Sequence, residues 1–167
     1  MAHDPLALRR VDHVRFFVGN ARQSAYFYRN AFGFDVAAYA GLETGLHHEA
    51  AYVLRQGEIT FVLASPLTAE HPENGRLATH GDGVQDLAFE VEDVAAAYEA
   101  AVSRGARGAT EPTCVEDADG AYRFASIHAY GDTTHTFVDR SGYRGVFAPG
   151  FAPLEADRYS PATRHFT

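Results

Sequence analysis

Val11-Asp12-His13-Val14-Arg15-Phe16-Phe17-Val18 and Val84-Gln85-Asp86-Leu87-Ala88-Phe89-Glu90-Val91 are two versions of one strand within a chain of 167 residues. Working outward from each, the next feature is a short polar residue, Asn20 in one copy and Asp93 in the other. Such side chains accept hydrogen bonds from the first free amides of a helix, so both positions predict helix starts. Apolar residues then recur at helical spacing, at Ala21, Ala25, Tyr28 and Phe32 in the first copy and at Val94, Tyr98 and Ala101 in the second. Gly33 and Gly105 suit the helix ends, because glycine accepts the left-handed backbone that stops a helix.

Three strand-like runs follow each helix. In the first copy they are about Asp35–Tyr39, Glu49–Arg55 and Ile59–Ser65, with Gln56-Gly57-Glu58 as the hairpin turn between the last two. In the second they lie near Thr110–Val115, Tyr122–Tyr130 and Thr134–Arg140, and the closing strand repeats its own signature, Thr60-Phe61-Val62 against Thr136-Phe137-Val138. The predicted fold is α+β: two βαβββ modules, residues 11–65 and 84–140, forming one curved mixed sheet with helices outside. Residues 66–83 are expected to be a connecting loop, 1–10 an N-terminal extension, 11–151 the domain, and 152–167 a tail or interdomain linker. Strand alternation puts Val14, Phe16 and Val18 with Leu87, Phe89 and Val91 in an apolar row under the helices. His13, Arg15 and Phe17, Asp86, Ala88 and Glu90, and Thr60 and Thr136 fall in the opposite row.

Composition narrows the function classes. Hydrophobic residues at 46% and charged residues at 22% are those of a globular domain, and the length suits a single one. A formal charge of -8, with the basic residues, all arginines, scattered, excludes nucleic acid as the expected partner. No run approaches the roughly 20 apolar residues of a membrane span, so a cytoplasmic location without membrane contact is expected. The single cysteine, Cys114, forms no internal disulfide and is read as a structural thiol.

The paired-module pattern resembles the vicinal oxygen chelate, glyoxalase-like superfamily. Leu54-Arg55-Gln56-Gly57-Glu58-Ile59-Thr60-Phe61-Val62-Leu63, Thr79-His80-Gly81-Asp82-Gly83-Val84, Asp93-Val94-Ala95-Ala96-Ala97-Tyr98 and His135-Thr136-Phe137-Val138-Asp139-Arg140 are similar to the N-terminal domain of 4-hydroxyphenylpyruvate dioxygenases and hydroxymandelate synthases. That resemblance covers roughly Val11 to Phe151 and implies a non-catalytic half of an iron(II) enzyme acting on 4-hydroxyphenylpyruvate. The dioxygenase reaction, which forms homogentisate in tyrosine catabolism, is the nearer match. Iron(II) is implied for the complete two-domain enzyme, with no cofactor in this chain. The implied partner is a following catalytic domain or a second subunit, and a homo-oligomer is compatible with it. The chain alone is expected to be inactive. The alternative is a free-standing member of the superfamily that binds a small aromatic or hydrophobic ligand.

By register, the superfamily's metal positions transfer to His13, Thr60, Asp86 and Thr136. A facial iron(II) site needs two imidazoles and a carboxylate, and this set offers one of each with two neutral hydroxyls, so no catalytic, cofactor or metal residue is assigned. His13 and Asp86 are expected instead to form a buried polar pair, with Arg15 and Glu90 as a second, in a concavity filled by side chains. A metal site in another register or across a dimer draws only on the nine histidines. His47-His48-Glu49 reads as a solvated loop entering a strand, because neighbours on an extended chain point apart. His80-Gly81-Asp82-Gly83 reads as a turn, and lacks the helix start that would make it a phosphate loop.

Overall fold

The computed structural model describes residues 6–154. In chain order the elements are β1 (Leu8–Phe17), α1 (Ala21–Phe32), β2 (Asp35–Ala40), β3 (Glu49–Gln56), β4 (Ile59–Pro66), α2 (Asn74–His80), β5 (Gly83–Val91), α3 (Val94–Val102), β6 (Gly108–Asp117), β7 (Gly120–His128), β8 (Thr134–Asp139) and β9 (Ala152–Pro153), with one 3₁₀ turn at Leu42–Thr44. The βαβββ order therefore occurs twice, and the α+β class holds. The chain clusters into two compact units that interleave in sequence, one of residues up to Val14 with Val84–Pro149, the other of Arg15–Gly83 with Gly150 onward.

In the first unit the strand order is β6-β7-β8-β5-β1. Here β5 and β8 run parallel, with Asp86 opposite Thr134 and Ala88 opposite Thr136, while β6–β7 and β7–β8 are antiparallel. Asp93 accepts from the Ala96 amide at 3.0 Å and starts α3. The helix ends through the Ala106 amide on the Ala101 carbonyl, with Gly105 at φ 102. Val94, Ala97 and Ala101 of α3 pack on Val91, Ala125 and Phe137.

In the second unit the order is β1-β4-β3-β2-β9. Asn20 accepts from the Gln23 amide at 2.9 Å to start α1, and Gly33, at φ 76, ends it by donating to Arg29 O. Ala21 and Ala25 pack on Val18, Phe34, Leu54 and Leu63, and Phe16, Tyr28 and Phe61 close that cluster.

The opposite row is as deeply buried as the helix-side row. Phe17 and Ala88 are fully buried, and His13 and Asp86 are 7% and 5% exposed. Phe16 and Phe89 are only half-buried, Phe89 meeting the His135 ring edge-on.

Three features depart from the sequence reading. The connecting loop contains α2, whose seven residues are too few to register a period and whose Asn74-Gly75 start imitates a turn. Residues Ala152 and Pro153, expected in the tail, pair with Tyr39 and Ala38 of β2. Cys114 is exposed on β6 rather than structural. Residues 155–167 of the expected linker and 1–5 of the expected extension lie outside the described residues, while Leu8–Arg10 already belong to β1.

Candidate functional site

In the first unit the polar centre is built around Asp12, whose side chain is 5% exposed. Arg140, just beyond β8, donates from Nε to Oδ1 at 2.7 Å and from Nη2 to Oδ2 at 2.8 Å, a two-pronged match of guanidinium to carboxylate. His13 adds a third bond, Nδ1 to Asp12 Oδ2 at 2.7 Å. Burial pushes the Asp12 carboxyl up, but the hydrogen bonds from His13 and Arg140 and the arginine's charge outweigh it and hold the group well below the usual range. Since the carboxylate can only accept, His13 carries its proton on Nδ1.

Arg140 is also clamped by aromatic rings. Its guanidinium lies 4.5 Å from the centroid of Phe147 and 5.0 Å from that of Tyr122, and Nη1 donates to Phe147 O. The loop after β8 that delivers Phe147 is tied down by the Tyr143 amide on Arg140 O, the Arg144 amide on Asp119 O, and the Ala121 amide on Gly142 O. Gly120 is required in this corner, because a Cβ there would sit 2.1 Å from Gly142 O.

Asp86 forms a separate network. It accepts from Thr134 Oγ1 at 2.6 Å and Thr136 Oγ1 at 2.9 Å, as the parallel register of β5 and β8 dictates. The expected hydrogen bond between His13 and Asp86 is therefore replaced: His13 bonds its neighbour Asp12, and Asp86 bonds the hydroxyls beside it on β8. Arg15 and Glu90 likewise have other partners in view. Arg15 Nη2 donates to both Glu49 oxygens at 2.6 Å, and Glu90 accepts from Arg10 at 2.6 Å.

The second unit carries a comparable cluster. Glu49 receives Arg15, and His71, on the loop before α2, places Nε2 3.7 Å from Glu49 Oε2. His71 Nδ1 accepts from the Glu73 amide at 3.2 Å, and its ring stacks on Phe17. His47 and His48 are exposed, as expected of a solvated loop, although the His48 ring faces that of His71 at 5.9 Å. Asp82 works as a turn acceptor for the Gly19 amide at 2.8 Å. Asp12 and His71 were missed by sequence reasoning, Asp12 because alternation put it in the apolar row and His71 because it sits in the connecting loop.

These donors do not fit an iron(II) site. Only one imidazole, His13, is among the four transferred positions; the Asp86 carboxylate is committed to two hydroxyl donors, and Thr136 directs its proton to Asp86 rather than its lone pairs to a cation. Thr60 is a neutral hydroxyl in the second unit, opposite Arg55. Among the described residues no group of three or more His, Cys, Asp or Glu is placed to hold a metal ion. Three surface cavities stand out, of about 550, 410 and 710 Å³, and none of the four positions lines any of them.

Comparison with known proteins fits this architecture. Residues 10–147 match the Glyoxalase/Bleomycin resistance protein/Dioxygenase superfamily. The chain belongs to that superfamily. It is 46% identical over 156 residues to a curated 4-hydroxyphenylpyruvate dioxygenase of Coccidioides posadasii, covering 86% of this chain and 39% of that protein. It is 48% identical to that of Caenorhabditis elegans, covering 84% and 36%. The chain thus spans well under half the length of these relatives. Among solved structures, a 4-hydroxymandelate synthase mutant from Streptomyces coelicolor superposes with a TM-score of 0.79 at 30% identity, over 89% of this chain and 43% of that one. A methylmalonyl-CoA epimerase from Mycobacterium tuberculosis, at 22% identity and a TM-score of 0.65, shares the fold. No helix among the described residues is long and apolar enough to cross a membrane.

Proposed function

We propose that this chain is the N-terminal, non-catalytic half of an iron(II)-dependent 4-hydroxyphenylpyruvate dioxygenase, a cytoplasmic enzyme of tyrosine catabolism that forms homogentisate. The observation that carries this reading is the 46% identity to a 4-hydroxyphenylpyruvate dioxygenase over 86% of the chain and only 39% of the relative. Hydroxymandelate synthase is the related alternative, and its lower identity of 30% makes it second.

In this reading the chain performs no chemical step. Its role is to present a rigid body to the catalytic half, or to a second subunit. The ion pairs of Asp12 with Arg140 and of Glu49 with Arg15 fill the polar positions with the chain's own charges. A buried carboxylate is tolerated when its donors come from the same fold, so such positions need no cation from solution.

The test compares the full-length product of the gene with the 167-residue chain, each loaded anaerobically with iron(II). The full-length protein is expected to consume oxygen with 4-hydroxyphenylpyruvate and release homogentisate. The shorter chain is expected to retain no stoichiometric iron and show no oxygen uptake. One tightly held iron per short chain, with turnover, overturns the assignment.

A further inference from the structure

The cavity of about 710 Å³ lies wholly in the second unit, between α1 and strands β2 and β3. Its volume falls in the range of small-molecule sites. One wall is a single face of α1, because Arg22, Ala25, Tyr26 and Arg29 are spaced three, four and seven residues from the first. The other wall carries Tyr39 and Tyr52, whose rings lie 4.9 Å apart at 49°. Glu43, on the 3₁₀ turn, and Asp35 border the same space.

Two unlike charges border this aromatic wall. Arg22 is exposed and makes no hydrogen bond or ion pair among the described residues. Glu43 accepts from Tyr39 Oη at 2.8 Å, which fixes the carboxylate beside the rings while leaving it further acceptor capacity. Its own backbone amide and the Tyr39 hydroxyl lower the Glu43 pKa, so it is ionised at neutral pH. Burial, aided by Glu43, pushes Tyr39 up to about 12. Tyr52 is raised by burial while Arg22 pulls it down and Glu43 pushes it up, so both charges act on one hydroxyl.

We propose that this groove binds a small zwitterionic aromatic molecule of the α-amino acid class, its carboxylate on Arg22, its ammonium on Glu43 and its ring against Tyr39 and Tyr52. A simple anion would meet Glu43 and Asp35, and a simple amine would meet Arg22 and Arg29. A zwitterion satisfies both signs at once, and the tilted tyrosine pair offers its ring an apolar face. Because the charges are exposed and screened, the expected Kd is weak, on the order of 1 mM.

The groove's binding can be tested on the 167-residue chain whether or not the full-length protein is a dioxygenase. A failed oxygenase assay leaves the outcome below intact, and the converse also holds. The experiment is an NMR titration with L-phenylalanine, with phenylacetate and 2-phenylethylamine as singly charged probes. L-Phenylalanine is expected to shift the Tyr39 and Tyr52 ring signals and to bind at least about fivefold tighter than either probe. Arg22→Gln should weaken L-phenylalanine and phenylacetate but spare 2-phenylethylamine, and Glu43→Gln should do the reverse for the two probes. Absence of ring shifts at about 20 mM ligand, phenylacetate binding as tightly as the amino acid, or parental affinity in both variants, each overturns the site.

Discussion

The two units each join a carboxylate to an arginine and a histidine, with different geometry. In the first, Asp12 is joined by Arg140 and His13; in the second, Glu49 is joined by Arg15 and His71. Arg140 meets Asp12 with two different nitrogens, one per oxygen, whereas both Glu49 oxygens share the single Arg15 Nη2. His13 bonds its carboxylate at 2.7 Å, but His71 stands 3.7 Å from its own and spends its other nitrogen on a backbone amide. Burial follows the same order, with Asp12 at 5% and Glu49 at 13% side-chain exposure. Of the two, the deeper carboxylate is the one whose fork is matched nitrogen for oxygen and whose further lone pair is used, as the cost of burying a charge favours.

The strongest way to break that comparison is to remove each arginine. Arg140→Met leaves Asp12 buried without its cation and is expected to cost about 3–5 kcal/mol. Arg15→Met exposes a carboxylate with more access to water and should cost less, roughly 1–3 kcal/mol. Urea unfolding midpoints read both. Equal losses, or a larger one for Arg15→Met, would mean that fork geometry and burial do not rank these two clusters.

Acid sharpens the same contrast. The Asp12 pKa is depressed in the folded state, so its contribution is fully present above the unfolded carboxyl value near 4 and is lost as pH falls below it. The size should be on the order of 2–3 kcal/mol. Thermal melts of the parent between about pH 5 and pH 2 should therefore fall more steeply than those of Asp12→Asn, which lacks that titrating group. Parallel curves would remove Asp12 as the source of the acid limb.

The strand repeat was legible because burial enforces it: Val62 and Val138, the matching ends of Thr-Phe-Val, are both fully buried. Helix starts were legible because Asn20 and Asp93 act through amides three residues away. The Asp12–Arg140 pair was not, since 128 residues separate its members and neither sits in a local pattern that announces the other. The expected His13–Asp86 pair assumed that equivalent places on repeated strands must meet. Asp86 is instead served by Thr134, directly opposite on the parallel strand β8, and by Thr136 two residues on. Pairing of strands decides side-chain partners, and the chain's internal repeat carries no record of which strands become neighbours.

Asp86 gives the next smaller effect and asks whether hydroxyl donors can substitute for a cation. Thr136→Val keeps the shape and deletes one of the two donors, with an expected loss of roughly 1–3 kcal/mol. Thr134→Val should cost at least as much, because its bond is the shorter, 2.6 Å against 2.9 Å. The double variant, leaving Asp86 without either hydroxyl, should lose more than the sum of the singles, since the second removal orphans a buried charge. Simple additivity in urea midpoints would show that water reaches Asp86 and replaces the hydroxyls.

The smallest effect separates the two repeats at their helix starts, where almost everything but charge is matched. Asn20 and Asp93 have extended backbones, φ -149 and -135, and accept from the amide three residues on at 2.9 and 3.0 Å. Replacing either with Ala should cost about 0.5–2 kcal/mol, because a free helix amide loses its acceptor. The ionised Asp93 also faces the positive end of α3, a term that Asn20 lacks and that is worth about 0.3–1 kcal/mol at low salt. Asp93→Asn should therefore destabilise by that smaller amount, and Asn20→Asp should stabilise by a similar one. Because the dipole term is screened, both differences should shrink as salt rises from about 0.01 M to 1 M, while the Ala penalties persist. Stability measured across that salt range decides the matter: if Asp93→Asn is neutral at low salt, the two caps differ in sequence but not in physics.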